Sequence, residues 1–374
     1  MPAYVRALCR EIELSGESWQ ESRNFKLPVH TIFFGGGTPS LLPVDALSQI
    51  LEQAREAFDV LPEAEITMEA NPGTVSEKYL REALRRGVSR LSFGVQSANP
   101  EELHMLEREH SYLDAVRAVR QARRAGFDNL NLDLIFGLPE QSLESWKSTL
   151  SLVLGLRPEH FSLYALTLEH GTPMAHWVER GLMKEPEPDL AADMYELAGE
   201  MLEASGYRQY EISNWAVEDR LGWRTCRHNL QYWRGLPYLG LGAGAHGYAV
   251  GVRTANVLAP KPYIQRCLEG AKGMFPRTPA TVQVETVTPE AELGETMMMG
   301  LRIVEEGVSA GGFAARFGRS LQDVYRLQIE KFVRLGLLEW TEKEKHLRLT
   351  RAGRLVGNQV FLEFLVDSDQ AETS

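Results

Sequence analysis

The chain has 374 residues, of which 44% are hydrophobic and 24% charged, a balance that buries sizeable cores and excludes a disordered chain. A formal net charge of -11, with no long basic run, argues against a nucleic-acid partner, because phosphate contacts need a basic surface. Three scattered cysteines (Cys9, Cys226 and Cys267) exclude a disulfide framework and any clustered metal spacing; with no apolar leader and no run long enough to span a bilayer, a cytoplasmic protein is expected.

Tyr4, Val5, Leu8 and Ile12 fall on one helical face, so the chain opens in an amphipathic helix. Val29 to Phe34 is a short apolar run that predicts a buried strand, and it stops at Gly35, Gly36 and Gly37 followed by Thr38 and Pro39. Three glycines permit positive φ angles and leave main-chain N–H groups open to a ligand. Val44, Leu47, Leu51, Ala54 and Phe58 then predict a second amphipathic helix.

Further strands are predicted at Glu65–Ala70, Arg90–Gln96, Leu130–Phe136 and His160–Leu168, each followed by a turn and a helix. Thr74 with Glu77, and Asn99 with Glu102, have capping-box spacing; Gly87, Gly126 and Gly155 are the expected helix stops. Repeated strand–helix units build a parallel sheet, either doubly wound or a barrel, and periodicity does not choose between them. Each strand ends in a polar cluster, so Thr38, Glu69, Asn71, Gln96, Ser97 and Asp133 are expected along one C-terminal edge, where ligands bind in such folds. Glu69 and Asp133 offer acceptors for an ammonium group or ribose hydroxyls, and Gln96 both donates and accepts.

The segments GGGTPS, MEANPGT, RLSFGVQS and NLDLIFGLP, in this order, resemble those of radical S-adenosylmethionine enzymes related to oxygen-independent coproporphyrinogen oxidase. The resemblance implies an α/β fold, a partial (β/α)6 barrel whose first strand is missing from this sequence, with a [4Fe–4S] cluster and S-adenosylmethionine at its mouth. It implies that Gly36, Gly37 and Thr38 contact the methionine end, that Glu69 and Gln96 hold polar groups, that Asp133 sits near the ribose and that Arg108 faces the carboxylate. The family's C-x3-C-x2-C cluster motif is absent, and Cys9 cannot replace three thiolates. The expectation is that a strand and that motif are encoded upstream of Met1; a sheet without its first strand would leave an open edge.

KEPEPD at 184–189 reads as a boundary before a helix from Leu190 to Ser205. YEISNWA at 210–216, CRHNLQYWRG at 226–235 and LGLGAGAHGY at 239–248 are dense in polar, aromatic and glycine residues. HNLQYW resembles the H-N-x-x-Y-W motif of the HemW branch, whose members are described as haem chaperones. Two readings of His228 stay open: an imidazole ligand for haem iron, with Tyr232 and Trp233 on the porphyrin face and Cys226 as a second soft ligand, or a residue that hydrogen-bonds a loop. His246 reads as structural, and the adjacent methionines 297–299 as packing. Residues 320–365 read as helix, strand, turn, strand and helix, a winged-helix-like unit.

The expected domains are therefore a partial barrel over 1–183, a middle region over 184–290, a winged-helix-like domain over 291–366 and a disordered tail over 367–374. The resemblance implies a haem chaperone with a haem-acceptor protein as partner, peripheral membrane contact at most, and no span. The alternatives are a coproporphyrinogen III oxidase and a non-catalytic remnant.

Overall fold

Alternation of polar and apolar residues in four successive strands gives the central sheet one polar and one apolar face, and that division positions everything below. In a computed structural model, described here for residues 1–169, 171–341 and 345–365, the sheet strands are β1 (Pro28–Phe34), β2 (Asp59–Ala70), β3 (Arg90–Gln96), β4 (Leu130–Phe136), β5 (His160–Ala165), β6 (Tyr207–Glu211) and β7 (Asn214–Asp219). Their order is β1-β2-β3-β4-β5-β7-β6, with a two-residue strand at Gly222–Trp223 added to β7. Neighbours from β2 to β5 are parallel, whereas β7 runs antiparallel to both β5 and β6. The expected α/β half-barrel sheet is thus present, and the YEISNWA segment is the hairpin that ends it.

Contacts divide the chain into two units, and each is described by itself. The unit formed by Phe33–Leu42 and Glu65–Thr225 holds most of the sheet. On one face Met68, Leu91, Phe93, Leu132, Leu134, Phe161 and Leu163 are almost completely buried. Helices such as Tyr112–Ala125 and Leu143–Leu154 contribute Ala118, Ala122, Trp146 and Leu150 to the same core. The opposite face carries Thr67, Arg90, Ser92, Asn131, His160 and Ser162, all buried as well. Buried polar groups are tolerated only when paired, so this face must be a hydrogen-bonded network or a ligand surface.

Helix ends follow the expected local signals at some positions and depart from them at others. Gly87 and Gly126 end their helices in the left-handed region, at φ 108° and 107°, as expected. Gly155 does not: its φ is -61°, and the helix simply tightens there. The cap of helix Glu77–Arg86 is Ser76, whose hydroxyl accepts from Tyr79 N–H, while Thr74 is diverted into a 3-10 turn. Asn99 does cap helix Pro100–Met105, but Glu102 turns away from the reciprocal bond to accept from Ser97.

The second unit comprises Met1–Ile32, Pro43–Ala64 and Cys226–Ser374. Its first helix runs from Pro2 to Arg23, longer than the periodicity at 4–14 indicated. Gly16 lies in the added part: a side chain there would lie 2.7 Å from the Ala57 carbonyl oxygen, so only glycine lets helix Val44–Ala57 approach. A three-stranded antiparallel sheet (His246–Ala249, Val252–Asn256, Thr281–Thr286) and helix Pro260–Glu269 pack in the same unit. Met297 of the methionine run is fully buried, in keeping with a packing role. The winged-helix-like elements are helices Ala310–Phe317 and Leu321–Arg334 and antiparallel strands Leu338–Thr341 and His346–Leu349, with Val308–Ser309 beside the latter. The tail expected to be disordered lies outside the described residues. No described helix is long and apolar enough to cross a membrane.

Candidate functional site

The glycine loop after β1 is pinned to the end of β2 from both sides. Gly36 N–H donates to Glu69 Oε2 at 3.1 Å, and buried Ser40 bonds Thr74 Oγ1 at 2.5 Å and accepts from Asn71 N–H at 3.3 Å. Gly36 and Gly37 have φ of 78° and 65°, and a side chain added at either would meet nothing within 4 Å. Open space and left-handed backbone together leave a cradle that a ligand can approach directly. Asn71 serves the turn, accepting from Gly73 N–H, and Thr38 is half-buried beside the cradle.

β3 ends in a second device. Ser97 N–H donates to the Val95 carbonyl at 2.8 Å across Gln96, whose φ is 65°, so Gln96 sits at the centre of a γ-turn in the left-handed region. Such backbone costs on the order of 1–3 kcal/mol and persists only where the surroundings impose it. Here they do: Ser97 donates to buried Glu102 at 2.5 Å, and Glu102 also accepts from Ser145 Oγ at 2.6 Å and Gln141 Nε2 at 3.1 Å. The Gln96 amide lies over Gly94, where an added Cβ would fall 2.9 Å from its nitrogen. Gln96 Oε1 is buried and has no hydrogen-bond partner among the described residues. A strained turn that ends in an unpartnered buried acceptor fits a bound donor group. Gly94→Ala is accordingly expected to shift the flexible amide with little change in melting temperature, yet weaken ligand binding about tenfold in calorimetry.

β4 supplies the second carboxylate. Asp133 accepts from Ser92 Oγ at 2.9 Å and Asn131 Nδ2 at 2.7 Å, and pairs in register with Gly94 and Ser162 of its neighbours. Burial pushes its pKa up, against the hydrogen bonds from Ser92, Asn131 and Ser162 and the Arg90 charge. Burial also raises Glu69, with the Asp133 charge adding to it and Gly36 N–H opposing. Two desolvated carboxylates that repel one another form a site ready for a cation or for hydroxyl donors.

Not every expected residue joins them. Ser97 is committed to Glu102, and Arg108 stands on an exposed turn after helix Pro100–Met105. Sequence reasoning missed Ser40, Glu102, Asn131 and His160; polar residues at alternate positions of β3, β4 and β5 were the available signal for the last two.

The HNLQYW segment, in the other unit, is helix Arg227–Trp233. His228 Nδ1 lies 2.8 Å from Thr31 Oγ1 and Nε2 lies 2.9 Å from Tyr232 OH. Tyr232 stacks edge-on with Tyr238, and burial pushes its pKa up to about 12, with the Tyr238 and Cys226 charges adding. The Arg302 guanidinium covers Trp233 at 4.4 Å. The loop 239–248 folds against itself so closely that a Cβ on Gly240 would lie 2.0 Å from the His246 carbonyl oxygen.

Comparison with known proteins decides the family. The Radical SAM superfamily model matches residues 18–153, and the HemN C-terminal domain model matches residues 287–356. "Heme chaperone HemW" of Bacillus subtilis is 38% identical over 90% of this chain and 85% of that protein. The chain belongs to the HemW family. The Escherichia coli HemW is 35% identical over 97% of this chain and 90% of its own length. The structure of coproporphyrinogen III oxidase (HemN) from Escherichia coli, a radical SAM enzyme, superposes with a TM-score of 0.78 at 23% identity, over 97% of this chain and 82% of that one, which establishes the radical SAM fold.

HemW membership within the radical SAM superfamily implies a [4Fe–4S] cluster and S-adenosylmethionine. The described residues hold no group of three or more His, Cys, Asp or Glu side chains able to bind a metal ion, and Cys9, Cys226 and Cys267 are each buried. The residues present therefore do not fit a cluster. They do fit the polar ends of S-adenosylmethionine: the open Gly36–Gly37 cradle, the orphan Gln96 Oε1 and the carboxylate pair match its carboxylate, ammonium and ribose groups in kind.

Proposed function

We propose that this HemW-family protein is a haem chaperone, which binds haem and passes it to an acceptor protein, and whose radical SAM scaffold holds S-adenosylmethionine at the sheet edge. The observation that carries the reading is the 38% identity to a curated haem chaperone across 85% of that protein's length. In the proposed site Gly36, Gly37 and Thr38 take the methionine end, Glu69 and the Gln96 amide oxygen accept from its ammonium, Arg108 reaches the carboxylate from its exposed turn, and Asp133 accepts from the ribose. These residues bind and orient; no reaction step is assigned to them.

For haem, His228 is the proposed iron ligand, with Tyr232 and Trp233 as aromatic neighbours. Both imidazole nitrogens already have partners, Thr31 and Tyr232, so ligation requires one hydrogen bond to break. Nε2 is the better candidate, because its partner is a hydroxyl on the same short helix that can swing away. Haem titration of His228→Ala, followed at the Soret band, is expected to show at least tenfold weaker binding and a changed spectrum; an identical spectrum and affinity would leave His228 as a loop-holding residue. Anaerobic incubation with coproporphyrinogen III is expected to give no protoporphyrinogen, and sustained turnover would replace the chaperone reading with an oxidase.

A further inference from the structure

The polar face of the sheet contains a chain of hydrogen bonds that runs towards Asp133 and has only one consistent direction. Asp133 Oδ1, a carboxylate oxygen, faces an Asn131 terminal atom at 2.7 Å, so that atom must be the amide NH2. The same NH2 reaches Ser92 Oγ at 2.7 Å. Asn131 Oδ1 therefore points the other way, where it lies 2.5 Å from His160 Nδ1 and accepts from Ser162 Oγ at 3.2 Å. An amide oxygen only accepts, so His160 must carry its proton on Nδ1. His160 Nε2 is then the acceptor, and the Tyr210 hydroxyl 2.8 Å away donates to it. His160 is fully buried, and burial with the nearby Arg90 charge holds its pKa well below the usual histidine value, which keeps the ring neutral and the direction fixed.

The chain links four strands, three of them in register and the fourth, β6, beyond β7. Tyr210 stands on β6, His160 on β5, Asn131 and Asp133 on β4, and Ser92 on β3, with Asn131 paired to His160 and to Ser92. Every donor points towards the one carboxylate, and such aligned bonds polarise each other. A network that served packing alone would have no reason to end at this half-buried carboxylate, which pairs in register with Gly94, the residue over which the Gln96 amide lies.

We propose that Tyr210, His160 and Asn131 are positioning residues for Asp133, holding its carboxylate in the orientation that accepts from the hydroxyls of a nucleoside ligand. The inference rests on the reading that Asp133 faces the nucleoside of S-adenosylmethionine. It assigns Asn131 the task of fixing the carboxylate, His160 that of fixing the Asn131 amide, and Tyr210 that of fixing the tautomer.

The test uses the full chain, with S-adenosylmethionine as the calorimetric probe and nitrogen-15 spectra of the histidine rings as a second readout. In the wild type, His160 is expected as the Nδ1–H tautomer and to stay neutral where an ordinary histidine titrates. In Asp133→Ala the Asn131 amide is free to turn, and the Nε2–H form should appear although His160 and Asp133 do not touch. Tyr210→Phe, which removes one oxygen and keeps the ring, is expected to weaken binding about three- to tenfold with unchanged circular dichroism. Tyr210→Phe binding within twofold of wild type, beside a clear loss in Asp133→Ala, would overturn the positioning role alone. Unchanged binding in Asp133→Ala would overturn the nucleoside reading and the inference with it. A wild-type Nε2–H tautomer would overturn the inference whatever the affinities.

Discussion

Glu11→Ala is expected to destabilise the protein by about 3–5 kcal/mol, lowering the melting temperature by about 5 °C in calorimetry. Glu11 lies on helix Pro2–Arg23, is completely buried, and accepts four hydrogen bonds: Gly242 N–H at 2.8 Å, Asn256 Nδ2 at 2.8 Å, Tyr263 OH at 2.6 Å and Thr278 Oγ1 at 2.7 Å. These donors come from the glycine-rich loop, the three-stranded sheet, helix Pro260–Glu269 and the segment before Thr281, so one carboxylate ties four pieces of chain together. Burial alone would raise its pKa strongly, and the four donors oppose that rise. Alanine leaves buried donors unpaired; the Asn256 amide retains Gly242 O at 3.0 Å, but Gly242 N–H and Tyr263 OH lose their acceptor. Glu11→Gln separates charge from hydrogen bonding. The two hydroxyls can turn to accept, whereas a glutamine NH2 must face either Gly242 N–H or the Asn256 amide, so roughly half of the loss should remain. Equal melting temperatures for wild type and alanine would show that the network contributes nothing.

The second large effect concerns the carboxylate pair, and it separates binding from stability. Asp133→Ala is expected to weaken S-adenosylmethionine binding at least tenfold, the value of a charge-assisted hydrogen bond or more. Glu69→Gln should also weaken binding, yet raise the melting temperature of the ligand-free protein by about 2 °C, because it removes a desolvated charge that Asp133 repels and keeps an acceptor for Gly36 N–H. The pH dependence has a defined sign. A carboxyl group whose folded pKa is raised binds its proton more tightly in the folded state, so ionisation costs stability as pH rises from about 4 through the folded value. The gap between Glu69→Gln and wild type should therefore be small near pH 4 and full at pH 7. A gap that is widest in acid would contradict the assignment.

How far these features were legible in the sequence depends on their range. Strands β3 and β4 could be read to the residue, since RLSFGVQ and LNLDLIF place apolar residues at alternate positions and are bounded by turn signals. The glycine loop follows β1 directly, and both carboxylates lie within strands, Glu69 next to last in β2 and Asp133 at the middle of β4, where an acidic residue stands out against apolar neighbours. What escaped was long-range. Glu11 reads as a solvent-facing helix charge between Ala7 and Ile12; only partners 231 to 267 residues away make it a buried anchor. The γ-turn at Gln96 was hidden because no glycine marks it, the strain being held by Glu102, which the capping-box spacing had assigned to Asn99. Ser97 shows the converse: a residue type suited to a ligand does not by itself place the side chain in the site.

Haem uptake by the purified full chain is the measurement that bears most directly on the proposed function. Titrated with haem and passed through a desalting column, the protein is expected to retain about one equivalent, with a Soret band shifted from that of free haem. A retained fraction near zero, with a spectrum that stays that of free haem throughout the titration, would contradict the chaperone reading.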